Sequence, residues 1–127
     1  MKKSQTLKAF CNKVVKLDKT IRFAGLANKK GKILAEVYRE GVTPLLTKKE
    51  SELSALQSII RMSTRRTLEG KIGKTIYAFA LYEKIKRATI PLSNYSDYIL
   101  MVSFDKDAEH EIIILNKILP LLRKLSL

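Results

Sequence analysis

The sequence predicts an α+β protein, with one five-stranded antiparallel sheet and helices packed on its faces. Three observations predict this fold. Residues 21–40 alternate apolar and other side chains on either side of a turn-forming Asn-Lys-Lys-Gly, as a β-hairpin does. Residues 47–69 open with a helix-capping motif and carry apolar side chains at helical spacing. Residues 74–104 hold three further strand-like runs. A lone hairpin is marginal in water, so these later segments are expected to cover it.

Length and composition fit one globular domain spanning residues 1–127, because 46% of the 127 residues are hydrophobic and 29% are charged. The single cysteine, Cys11, cannot form an internal disulfide, and we interpret it as a small core residue rather than a reactive thiol. No apolar run is long enough to cross a bilayer, and none follows Met1–Lys3 as a signal peptide requires. We therefore expect a cytoplasmic protein.

The positive charge is large and regional. The chain carries a net charge of +13; residues 1–74 hold 18 Lys and Arg against 6 Asp and Glu, or +12, and residues 75–127 hold 7 against 6, or +1. Such an excess attracts nucleic acid, anionic lipid or an acidic protein surface without selecting among them. It is equally compatible with a basic surface that is only solvated.

The first helix is predicted over residues 4–17, with Ser4 as its N-cap. Its apolar side chains recur at helical spacing: Leu7, Phe10, Cys11, Val14, Val15 and Leu17. We expect this face to pack on the protein's own sheet rather than on a membrane. The hairpin follows and ends near Gly41, and Pro44 makes residues 42–46 an extended connector.

The central helix has the clearest local signal, because Thr47 and Glu50 match the capping box. The helix is expected to run over residues 48–69 and to end at Gly70. Its predicted buried stripe consists of Leu53, Leu56, Ile59, Ile60 and Leu68.

Three strands and a last helix complete the predicted order. Residues 74–82 are apolar on both sides, which favours a strand covered on both faces or lying at a subunit contact. Residues 84–90 indicate a more exposed strand, 92–97 a polar loop, and 98–104 a central strand. Residues 105–111, with four acidic side chains, are expected to form the first part of the last helix, which should kink between 116 and 120, or end early, because of Pro120. Its predicted buried stripe is Ile112, Ile113, Leu115, Ile118, Leu119 and Leu122.

The sequence contains little that indicates catalysis. The one histidine, His110, follows Asp107 and precedes Glu111 at a helix start, and we interpret it as a surface capping residue rather than a metal ligand. The segment from Gly70 to Lys74 follows a helix, whereas a phosphate-binding loop precedes one. We therefore expect no enzymatic activity, no cofactor and no metal.

Basic side chains supply candidate contacts to phosphate. Seven of them cluster around the central helix, and together they predict sequence-tolerant binding to a nucleic-acid backbone: Lys48, Lys49, Arg61, Arg65, Arg66, Lys71 and Lys74. The sequence shows no recognition helix in a helix-turn-helix frame. Strand tyrosines are more typical of cross-strand packing than of base stacking.

The order of elements, helix-strand-strand-helix-strand-strand-strand-helix, resembles the roadblock and dynein-light-chain-7 group, and more loosely the profilin, longin and PAS architectures. Residues 21–41, IRFAGLANKKGKILAEVYREG, also resemble the opening hairpin of a family of small archaeal proteins, which implies no known activity. The roadblock resemblance implies a non-enzymatic homodimer that places two central helices and two third strands together. It further implies a platform for small GTPases or motor complexes.

In this chain the dimer elements implied by the resemblance are residues 48–69 and 74–82. The candidate dimer contacts are Ile76, Tyr77, Ala78 and Phe79. The arginines at 61, 65 and 66 would repel their copies beside a two-fold axis, unless an anion or an acidic partner lies between them.

Three hypotheses follow. The first is a homodimeric regulatory or scaffolding module of roadblock type, with a small GTPase or another acidic protein as partner. The second is a small basic protein that binds the phosphate backbone of nucleic acid. The third is a PAS-like sensor of a small ligand, which requires an internal cavity.

Overall fold

The computed structural model of the protein describes residues 3–92 and 98–125, with side chains from residue 5 onward. The strands are β1 (Ile21–Asn28), β2 (Ile33–Tyr38), β3 (Ala78–Leu81), β4 (Ile85–Pro91) and β5 (Tyr98–Asp105). The helices are α1 (Lys3–Val15), α2 (Lys48–Arg66), α3 (Glu69–Ile72), α4 (His110–Ile113) and α5 (Leu119–Arg123), the last two joined by a π-helical segment, Ile114–Ile118. None of the helices in this part of the chain is long and apolar enough to cross a membrane.

The five strands form one antiparallel sheet, as predicted, in the order β2-β1-β5-β4-β3. Two hairpin-connected groups are joined where β1 pairs with β5, with Leu26 opposite Leu100. The other pairs include Leu26 with Ala35 and Ala88 with Val102. This order makes β1 and β5 central and leaves β2 and β3 at the two edges.

One face of the sheet carries most of the hydrophobic core. Helix α1 and the C-terminal helical segments cover this face, and Ala24, Leu26, Leu100, Val102 and Phe104 are buried beneath them. The predicted apolar face of the first helix is confirmed, since its buried residues are Leu7, Phe10, Cys11, Val14 and Val15. Burial raises the pKa of the Cys11 thiol to about 12, which suits an inert core residue.

Helix α2 covers the opposite face with a much smaller buried cluster. Ala55 packs there against Ala27, Ile99 and Met101, with Ile59 beside them. The predicted capping box is confirmed. Thr47 Oγ1 accepts a hydrogen bond from the Glu50 amide at 3.2 Å, and Glu50 Oε1 accepts one from the Thr47 amide at 2.9 Å.

Substituting Thr47 with alanine tests the contribution of this cap. The variant leaves the Glu50 amide without its acceptor, and we expect the free energy of unfolding to fall by about 1 kcal/mol. Urea denaturation followed by circular dichroism measures the change. The exposed Thr43→Ala variant, in the connector before the helix, serves as the control and should change stability by less than about 0.5 kcal/mol.

The predicted end of α2 is wrong. The helix ends at Arg66, and the short α3 follows and ends at Ile72. The next residue, Gly73, has a φ of 90°, which glycine adopts at little cost. The hydroxyls of Thr64 and Thr67 donate to backbone carbonyls of Ile60 and Thr64 near the break. Such bonds compete with regular helical hydrogen bonding.

The predicted strand over residues 74–82 is also shorter than expected. Pairing covers only β3, in which Ala78 lies opposite Thr89. Continuing this register would place Ile76 opposite Pro91, which has no amide hydrogen to donate. Residues 74–77 therefore lie outside the sheet although their sequence alternates.

The predicted buried stripe of α2 is largely wrong as well. The residues that face the sheet are Ala55, Ser58 and Met62, with Ile59 partly buried. Four predicted core residues are instead exposed: Leu53, Leu56, Ile60 and Leu68. Small side chains at 55 and 58 allow the helix to approach the sheet closely, and the larger apolar ones point away from it.

The C-terminal helix begins later than predicted, because Asp105 belongs to β5. Its carboxylate accepts hydrogen bonds from Arg39 at 2.8 Å and Arg22 at 3.4 Å, which hold its pKa below its usual range. The helix does not end at Pro120, but it is irregular just before it. The Leu119 amide donates a hydrogen bond to the Ile114 carbonyl, five residues earlier, which forms the π-helical segment. Ile113, Ile114 and Ile118 are buried there, whereas Ile112 and Leu115 are exposed, contrary to the prediction. Most of the predicted polar loop, residues 93–97, lies outside the described residues.

Candidate functional site: an apolar stripe and a basic groove

The outward side of α2 carries an unexpected apolar stripe. Leu53, Leu56 and Ile60 are 55%, 41% and 56% exposed, and their spacing of three and four residues puts them on one side of the helix. Ala55 and Met62 occupy the opposite side, against the sheet. We call Leu53, Leu56 and Ile60 the outer stripe. Exposed apolar side chains grouped in this way mark interaction surfaces.

Further apolar side chains are exposed from the end of α2 to β3. They are Leu68, Ile72, Ile76, Leu81 and Tyr82. Strand β3 is the last strand of the sheet, so one side of its backbone faces no other strand among the described residues. An edge strand with exposed apolar side chains is prone to pair with another chain.

The four predicted dimer contacts have different environments. Ile76 is exposed, Ala78 is half-buried, and Tyr77 packs against the main core. Phe79 stacks on His110, with ring centroids 3.8 Å apart and planes inclined by 6°. The apolar character on both sides of this segment is therefore explained in part by contacts within the protomer, through Tyr77 and Phe79. Contact of these residues with a second copy stays a prediction.

A groove between α2 and the β3–β4 end of the sheet brings three arginines together. Arg61 and Arg65 come from α2 and Arg87 from β4, and the groove has a volume of about 320 Å³. Small side chains on β3, Ala78 and Ala80, help to line it. The remaining lining residues are Ser58, Phe79, Tyr82, Ala88, Thr89 and Met101. We call this cavity the basic groove.

The basic groove has no acidic counterpart in the described part of the chain. None of its lining residues is Asp or Glu, and none of the ion pairs found within residues 3–92 and 98–125 involves its arginines. Arg87 Nη2 donates to Ser54 Oγ at 2.7 Å, and its guanidinium lies 6.0 Å from the centre of the Tyr82 ring. Arg87 is thus held in place by neutral groups, which leave its charge uncompensated.

The other predicted cations do not join this groove. Lys48 and Lys49 lie at the opposite end of α2, about 18 to 25 Å from Arg61 and Arg65 along the axis at 1.5 Å per residue. Lys48 lines a separate groove that also holds Glu36 and Glu52. Arg66, Lys71 and Lys74 are exposed and do not line the basic groove.

Arg87 is not among the predicted site residues, although the sequence contains a signal for it. The run KIKRATI alternates, so Arg87 and Thr89 share one face of β4 while Ala88 and Ile90 share the other, buried in the main core. The face of Arg87 is the one that α2 covers.

His110 is not a surface capping residue, contrary to the prediction. Its ring lies against Phe79, and its Nδ1 atom is buried without a hydrogen-bond partner in the described structure. Burial keeps the pKa of His110 below its ordinary value of 6.5; the nearby charge of Lys86 adds to this effect and Glu111 opposes it. The neutral imidazole is therefore favoured in the folded state.

This environment predicts a pH dependence of stability. Because the folded state holds the pKa of His110 below 6.5, the unfolded chain binds the proton first, so this stabilisation is complete above pH 6.5 and is lost as pH falls through the folded pKa. We expect the urea midpoint to fall more steeply between pH 7.5 and 5.5 in the wild type than in His110→Phe, which keeps a ring against Phe79. Equal slopes in the two proteins would show that His110 titrates normally.

Comparison with known structures identifies the architecture. MglB from Myxococcus xanthus superimposes with a TM-score of 0.73 at 14% sequence identity, over 96% of this chain and 93% of that chain. A roadblock/LC7 domain from Streptomyces avermitilis gives 0.71 at 13% identity, over 92% of both chains. The fold is that of roadblock/LC7 domains. MglB from Thermus thermophilus shares this fold, with a TM-score of 0.69 at 13% identity over 98% of this chain and 95% of that chain.

The roadblock/LC7 fold confirms the resemblance based on the order of elements. No protein-family model matches the sequence, and a search of curated proteins gives no significant match. The resemblance of residues 21–41 to a family of archaeal proteins therefore finds no support.

Proposed function

We propose that the protein is a non-catalytic regulatory or scaffolding module of roadblock type, formed by residues 1–127, that works as a homodimer. The observation that carries this proposal is the outer stripe on α2 together with the exposed apolar side chains near the unpaired edge of β3. Both surfaces remain exposed in the described protomer, although Leu53 and Leu56 flank the β1–β2 turn.

A two-fold axis beside β3 would cover the edge of the sheet and bring the two α2 helices towards each other. An antiparallel pairing of β3 with its copy would continue the sheet across the axis, and a two-fold interface brings the same residues together from each chain. The α2 helices would then lie on the same side of the joined sheet. Burial of the outer stripe would supply the apolar contact that the small cluster beneath α2 does not provide.

Other proteins of this fold support assembly as a mode of action. One MglB structure is described as having a tetrameric arrangement. A partner outside the dimer is proposed on charge, because a chain with a net charge of +13 favours an acidic protein surface, such as that of a small GTPase.

Sedimentation equilibrium tests the proposed dimer. At tens of micromolar protein we expect a mass of twice the 14.5 kDa of the single chain. A mass of one chain at this concentration, in both low and moderate salt, would overturn the proposal. Measuring at two salt concentrations is necessary because the chain is strongly basic.

The two alternative functions receive less support. The cations predicted to bind a nucleic-acid backbone are divided between the two ends of α2, and duplex retardation at low salt remains their test. A PAS-like sensor requires a ligand cavity. The larger grooves formed by the described residues are open to solvent. The space between the sheet and the connector, which includes Pro44 and Leu45, is only about 50 Å³, against roughly 300 Å³ for the smallest usual ligand pockets.

A further inference from the structure

The basic groove has the chemistry of an anion site. We propose that it binds a compact polyvalent phosphate, such as the diphosphate or triphosphate group of a small molecule. Arg61 and Arg65 line the groove from the helix and Arg87 from the strand, so arginines come from two walls of one concave space. The site requires only one protomer.

Arginine is well suited to this ligand. A guanidinium is planar, remains charged and donates paired hydrogen bonds whose spacing matches the oxygens of phosphate. Arg87 is already oriented by its bond to Ser54 and by the Tyr82 ring, which lowers the cost of ordering it around a ligand. The hydroxyls of Ser58 and Thr89 line the same groove and can donate to further phosphate oxygens.

The size and shape of the groove favour a small anion over an extended one. Its volume of about 320 Å³ is near the lower end of small-molecule sites, roughly 300–1,000 Å³. The alanine side chains of β3 leave space below the arginines rather than filling it. A nucleic-acid duplex would need cations spread over a long surface, and Lys48 and Lys49 lie at the far end of α2.

Occupancy of the groove would also affect association of two chains, a consequence that rests on the proposed dimer. Ala78, Phe79, Ala80 and Tyr82 line the groove and belong to or adjoin β3, the strand proposed to pair with its copy. Uncompensated arginines beside a two-fold axis repel their copies, and a bound polyanion removes that repulsion. Anion binding and dimerisation would then strengthen each other equally.

Calorimetric titration with sodium tripolyphosphate at constant ionic strength tests the site. The variants are Arg61→Gln/Arg65→Gln and the matched control Lys48→Gln/Lys49→Gln, which removes the same charge from the same helix. Losing a charge-assisted hydrogen bond weakens binding about tenfold or more, so the double arginine variant should bind about 100-fold more weakly or worse. The lysine control should stay within about threefold of the wild type, since surface charges beyond a Debye length are largely screened.

Three outcomes would overturn the site: no heat of binding at low salt, equal losses in the two double variants, or tighter binding of a hexaglutamate peptide or a mixed-sequence duplex than of tripolyphosphate. Thermal denaturation of both variants verifies that they fold. Sedimentation in the same buffers separates this proposal from the proposed dimer. One tripolyphosphate bound per monomeric chain supports the site and refutes the dimer. A dimer that binds no tripolyphosphate supports the dimer and refutes the site.

Discussion

Replacing Gly31 with alanine is expected to lower the free energy of unfolding by about 3 kcal/mol. Gly31 is buried in the β1–β2 turn with a φ of 80°, a conformation that costs other residues roughly 1 kcal/mol. An alanine Cβ would also lie 2.7 Å from the Cα atom of Leu56 in α2. A backbone atom, unlike the end of a side chain, cannot rotate away from this contact, so the helix must shift. Shifting a packed helix costs roughly a further 1–3 kcal/mol.

Gly41→Ala provides a matched control for the backbone term. Gly41 has a φ of 83°, but no atom lies within 4 Å of the position a Cβ would take. Its replacement should therefore cost only about 1 kcal/mol, from the unfavourable backbone conformation. Urea denaturation of the two variants isolates the contact with α2 as their difference. Equal losses of stability would show that the turn does not support the helix.

The Gly31 contact explains how α2 stays on the sheet despite the small cluster beneath it. Only Ala55 of α2 joins the buried residues of that cluster, with Ile59 partly buried beside it. The hairpin turn adds a second point of contact, at Leu56. The sequence predicts a turn at Gly31 from local chemistry, but the close approach of a helix that lies much later in the chain depends on packing that no local pattern encodes.

Local signals account for what could be predicted. The capping box at Thr47 and the hairpin turn depend on residues only a few positions apart, and the structure has both. The order of elements also predicted the two hairpin-connected groups, because neighbouring strands joined by short turns pair with each other. The pairing of β1 with β5, which joins the groups, does not follow from that rule. The fold class therefore followed from patterns visible in the sequence.

Helical periodicity could not show which side of α2 meets the sheet. Leu53, Leu56 and Ile60 form the more apolar side, so the pattern predicts that they are buried. The residues of α2 buried against the sheet are instead Ala55, Ser58 and Met62, and the small side chains at 55 and 58 allow close approach. The basic groove could be predicted only in part. Arg61 and Arg65 lie one helical turn apart in the sequence, whereas Arg87 joins them only because α2 packs over its face of β4.

Because the outer stripe is exposed rather than buried, a substitution within it tests the proposed dimer directly. Replacing Ile60 with aspartate should raise the dimer dissociation constant at least about 100-fold, since the substitution removes buried apolar area and places a carboxylate in the interface. Ile60 is 56% exposed in the protomer, so the stability of the monomer should change by less than about 0.5 kcal/mol. Sedimentation equilibrium over a concentration series measures the dissociation constant.

Asn12→Asp is the matched control for the change in charge. Asn12 is an exposed residue of α1, which covers the opposite face of the sheet from α2. Each variant lowers the net charge of +13 by one, which reduces the repulsion between two copies. The change in net charge alone would therefore tighten both dimers slightly. A weaker Ile60→Asp dimer then requires that residue 60 lies in the interface, where apolar contact is lost and a carboxylate is buried. A dissociation constant equal to that of Asn12→Asp would place the interface away from the outer stripe.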